Sequence, residues 1–365
     1  MTDTQNAVRL VVSGQEYGGW KEVSITPGIE RQARDFTLSV TDRWPGATDI
    51  PRRIRPGDPC EVFIGADKVL TGYVDGTPIG YDARQVSVGV TGRSKTADLV
   101  DCSAINSPGQ WRNQKLERIA ADLAAPYGIQ VVTETGTGAP IADHQIQQGE
   151  TAFESIDRML RLRQLLATDD EHGRLVFIEV GRTRAATALV LGGEDGNILK
   201  ADAPLDFKER FSEYVCKGQR AGDDIAFAAA VSEGTAAIGD SAIKRRRVLV
   251  IRQSGQADEG TCRERVEYER SHRAARSLAT TYTVAGWRQA DGSLWRPNLL
   301  VRVRDGIVGF DQDLLIAEVN WQLSDAGMLT VIKVGPKDGY LSNAAKKAAK
   351  KAQAERLQGE EVRFF

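Results

Sequence analysis

Cysteine is scarce in this chain, and the four present, Cys60, Cys102, Cys216 and Cys262, stand far apart without the paired spacing of a zinc site or a dithiol. That excludes a disulfide scaffold, and all four are expected to be reduced and structural. Histidine is scarcer still. His144, His172 and His272 lie in unrelated segments with no HExxH pattern, so they are expected at surface or turn positions rather than on a metal. No serine sits in a GxSxG elbow, and the segment around Arg93 and Lys95 lacks the GxxxxGK[ST] pattern of a phosphate loop. Long apolar runs are missing too, so no window of about 18 residues could form a membrane helix. The start, MTDTQNAVRLVVSG, has no basic and then apolar leader, and the protein is expected to be made and kept in the cytoplasm until its assembly leaves. Charge of one sign is also lacking: 48 basic against 50 acidic side chains give a net charge of −2, which offers nothing global for wrapping nucleic acid.

What is present is a chain of 365 residues, 41% hydrophobic and 27% charged, long enough for two to four domains. From Val8 to Val100, short bursts such as VRLVV, FTLSV and CEVFIG alternate apolar with polar positions between glycine turns, the pattern of a small closed antiparallel barrel. The register then changes. Leu116, Ile119, Ala120 and Leu123 share a helical stripe, as do Phe153, Ile156, Met159 and Leu160, and a strand returns at GRLVFIEVG. Beyond residue 196 strands resume, interrupted by a flexible stretch and a helix at CRERVEYERSHRAARSLAT. From Val284 to Met328 the chain is again a run of strands joined by tight turns, with Asp291-Gly292 suited to positive φ. The expected fold is therefore α+β, mainly β: a first β-barrel at 1–100, a middle α/β domain at 101–195, a second β-barrel at 196–338 with an excursion at about 219–280, and a helical tail at 339–365 ending in Phe364-Phe365.

The chemistry-bearing residues are sparse. Asp169, Asp170 and Glu171 occupy ATDDEHG, a turn before a strand, and are expected to be solvated rather than paired across a cleft as glycoside cleavage requires. The Lys244–Arg247 run carries too few charges for firm duplex binding and is expected on a solvated or subunit-facing loop. The six tryptophans are too dispersed for a base-stacking platform; Trp287 and Trp321 suit a core, and Trp44 suits an interface equally well. No cofactor or metal is called for.

GWRQADGSLWRPNLLVRVRD followed by LLIAEVNWQLSDAGMLTVIKV resembles the C-terminal barrel of the baseplate hub proteins of contractile-tailed phages. RDFTLSVTDRW, IRPGDPCEVFIGADKVLTGYVD and VSVGVTGRSKTADLVDCSAI resemble the first barrel of that family, and IQQGETAFESIDRMLRLRQLLATDDEHGRLVFIE resembles its middle region, so the likeness spans nearly the whole chain. The resemblance implies a non-enzymatic homotrimeric ring in the virion tail baseplate. Two related β modules per chain would face the six-fold tail tube and other baseplate proteins, and a separate trimeric spike would sit on the other side. It implies no specific nucleic-acid binding and no integral membrane segment. The residues most tied to it are Gly72, Tyr73, Asp75, Trp287, Trp295, Pro297, Asn298, Asp305 and Trp321. Related hub domains occur in type VI secretion spikes. The rival reading is a tail-associated carbohydrate-active enzyme or peptidoglycan-binding module, which needs paired carboxylates in a cleft or an aromatic sugar platform.

Overall fold

Alternation makes the strands. In Val8–Val12 the side chains of Val8, Leu10 and Val12 are buried, and Pro59–Ile64 repeats the pattern with Cys60, Val62 and Ile64, the period-two signature of a sheet with one covered face. The computed structural model describes residues 4–43, 54–81, 85–218, 234–253 and 259–341. Trp44, the stretch 219–233 of the expected excursion and the tail from 342 onward, with Phe364 and Phe365, lie outside the described residues.

The fold is α+β and mainly β, but the expectation of two closed barrels is corrected: among the described residues no sheet closes. Strands from both ends of the chain form one open sheet. Its main path runs from Ile198–Asp202 through Thr280–Ala285, Gly327–Gly335, Phe310–Ser324, Glu22–Thr26, Asp35–Arg43, Gln85–Ser94, Asp67–Gly76, Pro59–Ile64 and Val8–Val12 to Gln15–Tyr17. The join is the Phe310–Ser324 strand. Its first half pairs antiparallel with Leu299–Asp305, and its second half continues onto Glu22–Thr26 with Trp321 opposite Ile25. Alternation marks a half-buried strand but not its distant partner, so local patterning could not separate two closed sheets from one shared open one. A single large core results, in which Leu10, Phe36 and Leu70 belong to the same cluster as Trp287, Trp295 and Trp321. Each of these three tryptophans is at most 2% exposed, and burying an indole side chain removes roughly 150–250 Å² from water, about 4–6 kcal/mol before the entropy of ordering.

Between these β regions lie helices α1 (Ala97–Asp101), α2 (Leu116–Ala124) and α3 (Ala152–Arg163). The stripe Leu116, Ile119, Ala120 and Leu123 on α2 is fully buried. On α3, Ile156, Met159 and Leu160 are buried and Phe153 packs at the edge of the same cluster. A capping box starts α3: the Thr151 side chain accepts from Glu154 N while Glu154 accepts from Thr151 N, satisfying two of the amides a helix start leaves unpaired. A short sheet accompanies them, Val131–Thr133 parallel to Leu175–Phe177, which pairs antiparallel with Ala167–Asp169.

The chain divides into two compact units, residues 1–202 with 281–334, and residues from 203 to 280 with those from 335 onward. The second unit has its own sheet, in which Glu213–Gly218 pairs antiparallel with Gly234–Gly239 and parallel with Val248–Gln253. Helix α4 (Glu259–Arg276) packs Cys262 and Val266 against Tyr214, Cys216 and Ala236.

Candidate functional site at the Arg34 and Asp169 junction

Within the first unit, three stretches distant in sequence meet around a cavity of about 310 Å³. Pro27, Ile29, Arg34 and Val69 come from the first β region. Thr168, Asp169 and Arg174 come from the middle region, and Pro297, Asn298 and Trp321 from the last. The junction is held by a buried ion pair. Arg34 Nε donates to Asp169 Oδ2 at 3.1 Å, as does Arg34 N; Nη2 donates to the Asp169 carbonyl at 2.7 Å and Nη1 to the Val69 carbonyl at 2.8 Å. The two side chains are 9% and 0% exposed. A buried guanidinium needs such a full set of acceptors, because removing either partner of a buried pair costs about 3–5 kcal/mol. Beside it, the Thr168 hydroxyl lies 2.7 Å from the Gly28 carbonyl. Asp169 Oδ1 and Trp321 Nε1 find no hydrogen-bond partner among the described residues, and the cavity both residues line is roomy enough for water to serve them.

Asp169 was expected in a solvated turn, and it is instead the buried end of a strand. The turn itself is made by the two that follow, Asp170, which accepts from His172 N and Arg174 N at 3.0 and 2.9 Å, and Glu171. In three consecutive carboxylates nothing local marks the one that will be buried, and Arg34 gives no periodic signal at all. His144 is a second correction. It is buried, with Nε2 2.8 Å from Ser155 Oγ; burial, aided by the Arg158 charge, pulls its pKa down to about 4.

The nine residues singled out by resemblance fall into four places. Gly72, Tyr73 and Asp75 lie on the Asp67–Gly76 strand. A Cβ at Gly72 would come within 1.9 Å of the Arg93 carbonyl, so only glycine admits this close strand approach. Tyr73 sits opposite Arg93, and Arg93 Nε donates to Asp75 Oδ2 at 2.7 Å while its Nη2 reaches Asp101 at 2.6 Å. Trp287 and Trp295 are in the core, and Trp287 Nε1 donates to the carbonyls of Gln322 and Leu329 at 3.0 and 3.1 Å. Asp305 is buried, accepting from Tyr282 Oη at 2.9 Å and from Ile307 N at 2.9 Å to set the following turn. Pro297, Asn298 and Trp321 line the cavity together. Asn298 adopts φ +68°, its Oδ1 accepting from Gly181 N and its Nδ2 donating to the Glu179 carbonyl, at 2.8 and 2.9 Å. Arg288 was missed by sequence reasoning: it binds Asp67 at 2.8 Å and the Gln5 carbonyl at 2.8 Å, tying the last segment to the first.

Among the described residues no group of three or more His, Cys, Asp or Glu is placed to hold a metal ion, and no helix is long and apolar enough to cross a membrane.

Comparison with known proteins covers most of the chain. Residues 7–94 match the N-terminal family of Mu phage baseplate assembly protein GpP-like proteins, 96–179 the second domain of baseplate hub protein gp44-like proteins, and 259–343 the fourth domain of Mu phage baseplate assembly protein GpP. The chain is 37% identical over 347 residues to the baseplate hub protein gp44 of Escherichia phage Mu, an alignment covering 92% of this chain and 89% of that one. Its structure is similar to the 43 kDa tail protein of prophage MuSo2 from Shewanella oneidensis, with a TM-score of 0.82 and 35% identity over 92% of this chain and 99% of that one. A tail protein from Neisseria meningitidis shares the fold, with a TM-score of 0.79 and 22% identity over 92% and 98% of the two chains.

Proposed function

Because the chain belongs to the baseplate hub protein family of Mu-like phages, we propose that three copies form a ring at the centre of a contractile tail, adapting the six-fold tail tube to a three-fold spike carried by a separate protein. The observation that carries this reading is the shared sheet. Each chain contributes an N-terminal and a C-terminal β region, joined in register at Trp321 and Ile25, so a three-fold ring would present six β regions to a six-fold neighbour. In this reading residues 1–100 and 196–338 supply the two β surfaces, and 101–195 braces them. The role is structural and not catalytic. Assembly takes place in the host cytoplasm, and DNA passes without specific recognition.

The residues tied to the family act mainly by building this frame. Gly72, Asn298 and Asp305 fix a close strand approach, a crossing and a turn, while Trp287, Trp295 and Trp321 fill the common core. The test is absolute mass by light scattering coupled to size-exclusion chromatography over a range of concentration and salt. A species of three times the 39.8 kDa chain mass is expected. A chain that stays monomeric at every concentration, and also when mixed with the spike, would overturn the ring.

A further inference from the structure

The Val248–Gln253 strand of the second unit is a sheet edge: it pairs with Glu213–Gly218 on one side and, among the described residues, with no strand on the other. Its alternate side chains face different surroundings. Leu249 and Ile251 pack against the cluster under α4, whereas Val248 and Val250 are 38% and 60% exposed on the opposite face. Val215 stands across from Val250 and Ala237 across from Val215, so an aliphatic row crosses the open face of all three strands. The ladder between this edge and its neighbour is parallel, and parallel strands are ordinarily covered on both faces.

Charge decides what covers it. Lys244, Arg245 and Arg246 lead into the strand and are exposed, and Lys217 lies directly opposite Arg252 at its far end. None of these five forms an ion pair among the described residues, and Arg247 beside them is engaged otherwise, donating to the Arg210 carbonyl and stacking over Phe211. Like charges directly across a ladder repel. A second copy of the same edge would add more cations, so the charges that guard against self-pairing select a carboxylate-bearing strand instead. We infer that the Val248–Gln253 edge is a docking site for an acidic, extended segment of a partner protein, which adds as a further strand with aliphatic residues on the Val248 and Val250 face and carboxylates beside Arg246, Arg252 and Lys217. The open row is small beside a full interface of about 800 Å² per partner, so the strand is one anchor of a larger contact.

The probe is a fluorescein-labelled heptapeptide that alternates glutamate, valine, valine and glutamate on one face with threonine on the other, added to the full chain and followed by anisotropy. Its controls are the same peptide with alternate backbone amides methylated, heptaglutamate, and single-stranded DNA of equal charge. The alternating peptide is expected to bind at least about tenfold more tightly than every control, because strand addition needs backbone donors as well as charge. Amides 248–253 should become protected from hydrogen exchange. Val250→Glu, and Arg246→Glu with Arg252→Glu, should weaken binding by about tenfold or more with unchanged melting, and the double reversal should instead bind a lysine and valine peptide. Equal binding of the methylated peptide, heptaglutamate or DNA would reduce the surface to a generic cationic patch and overturn the site, as would no binding at millimolar peptide.

Discussion

The large sheet of the first unit and the sheet of the second are built from strands of similar alternation and are finished in different ways. In the first unit every long strand of the main path has partners on both edges except at its ends, and a buried cationic side chain, that of Arg34, donates three hydrogen bonds to Asp169 and the Val69 carbonyl. Among the described residues of the second unit three strands share one helix, their core is a small cluster around Tyr214, Cys216 and Cys262, and the cations at the edge have no acidic partner. Size explains part of the contrast, since a larger core buries more apolar area per residue and can carry a buried ion pair. The rest is a matter of role. A sheet that closes its account within the chain provides rigidity, and one that leaves an edge and a face unpaired provides a place to bind.

The largest expected effect breaks the first of these. Arg34→Met leaves Asp169 buried and uncompensated and should destabilise the first unit by about 3–5 kcal/mol in urea unfolding, with much of that loss recovered when Asp169→Leu is added. Hydrogen exchange should show the amides of α4 unaffected. The reciprocal change is Tyr214→Ala, which empties the centre of the smaller core and removes the hydroxyl that accepts from Phe211 N. It should cost about 3–5 kcal/mol within the second unit, and the Glu213–Gly218 strand should exchange freely while the Phe310–Ser324 strand stays protected. If either change melts both units together, the division in two is wrong.

A pH titration sharpens the contrast with a smaller effect. His144 is held neutral in the folded first unit, its pKa lowered from 6.5 to about 4. A depressed histidine favours the folded state fully above the unfolded value and loses that contribution as pH falls from about 6.5 toward 4, because the unfolded chain takes up the proton first. His144→Gln should therefore flatten the pH dependence of unfolding in that window without altering it at pH 8, and exchange in the second unit should keep its wild-type profile. The smallest effect belongs to Asp75→Asn. It cuts one of two carboxylates from Arg93 at a half-exposed position, and a change of about 1 kcal/mol or less is expected by denaturant melting, vanishing in high salt.

These residues also show what could be read ahead of the structure. Helices α2 and α3 were legible because their apolar positions recur within one or two turns, and the start of α3 is written in Thr151 and Glu154. Turns such as Asp291-Gly292 were legible for the same reason of locality. The partner of a strand is not local: Trp321 meets Ile25 across almost 300 positions, and nothing in either neighbourhood names the other. The two expected barrels failed at that step, since strand patterning was sound and closure was not. Arg34 and Asp169 were hidden for a related reason, because an isolated charge reads as surface until its partner arrives from a distant segment. Asn298 could be flagged but not explained, as its bonds run to Gly181 and Glu179.

The Phe310–Ser324 strand has a mechanical consequence. It is 15 residues long, about 50 Å at the usual rise, and besides its neighbour Gly327–Gly335 it pairs over its first half with Leu299–Asp305 and near its end with Glu22–Thr26 of the N-terminal segment. A pull along its length would load both ladders in shear, so that their cross-strand bonds bear the force together rather than opening one at a time as in a peeled hairpin. The same strand thus acts as a tie bar between the two ends of the polypeptide, and tension applied at one β region reaches the other without passing through a loop.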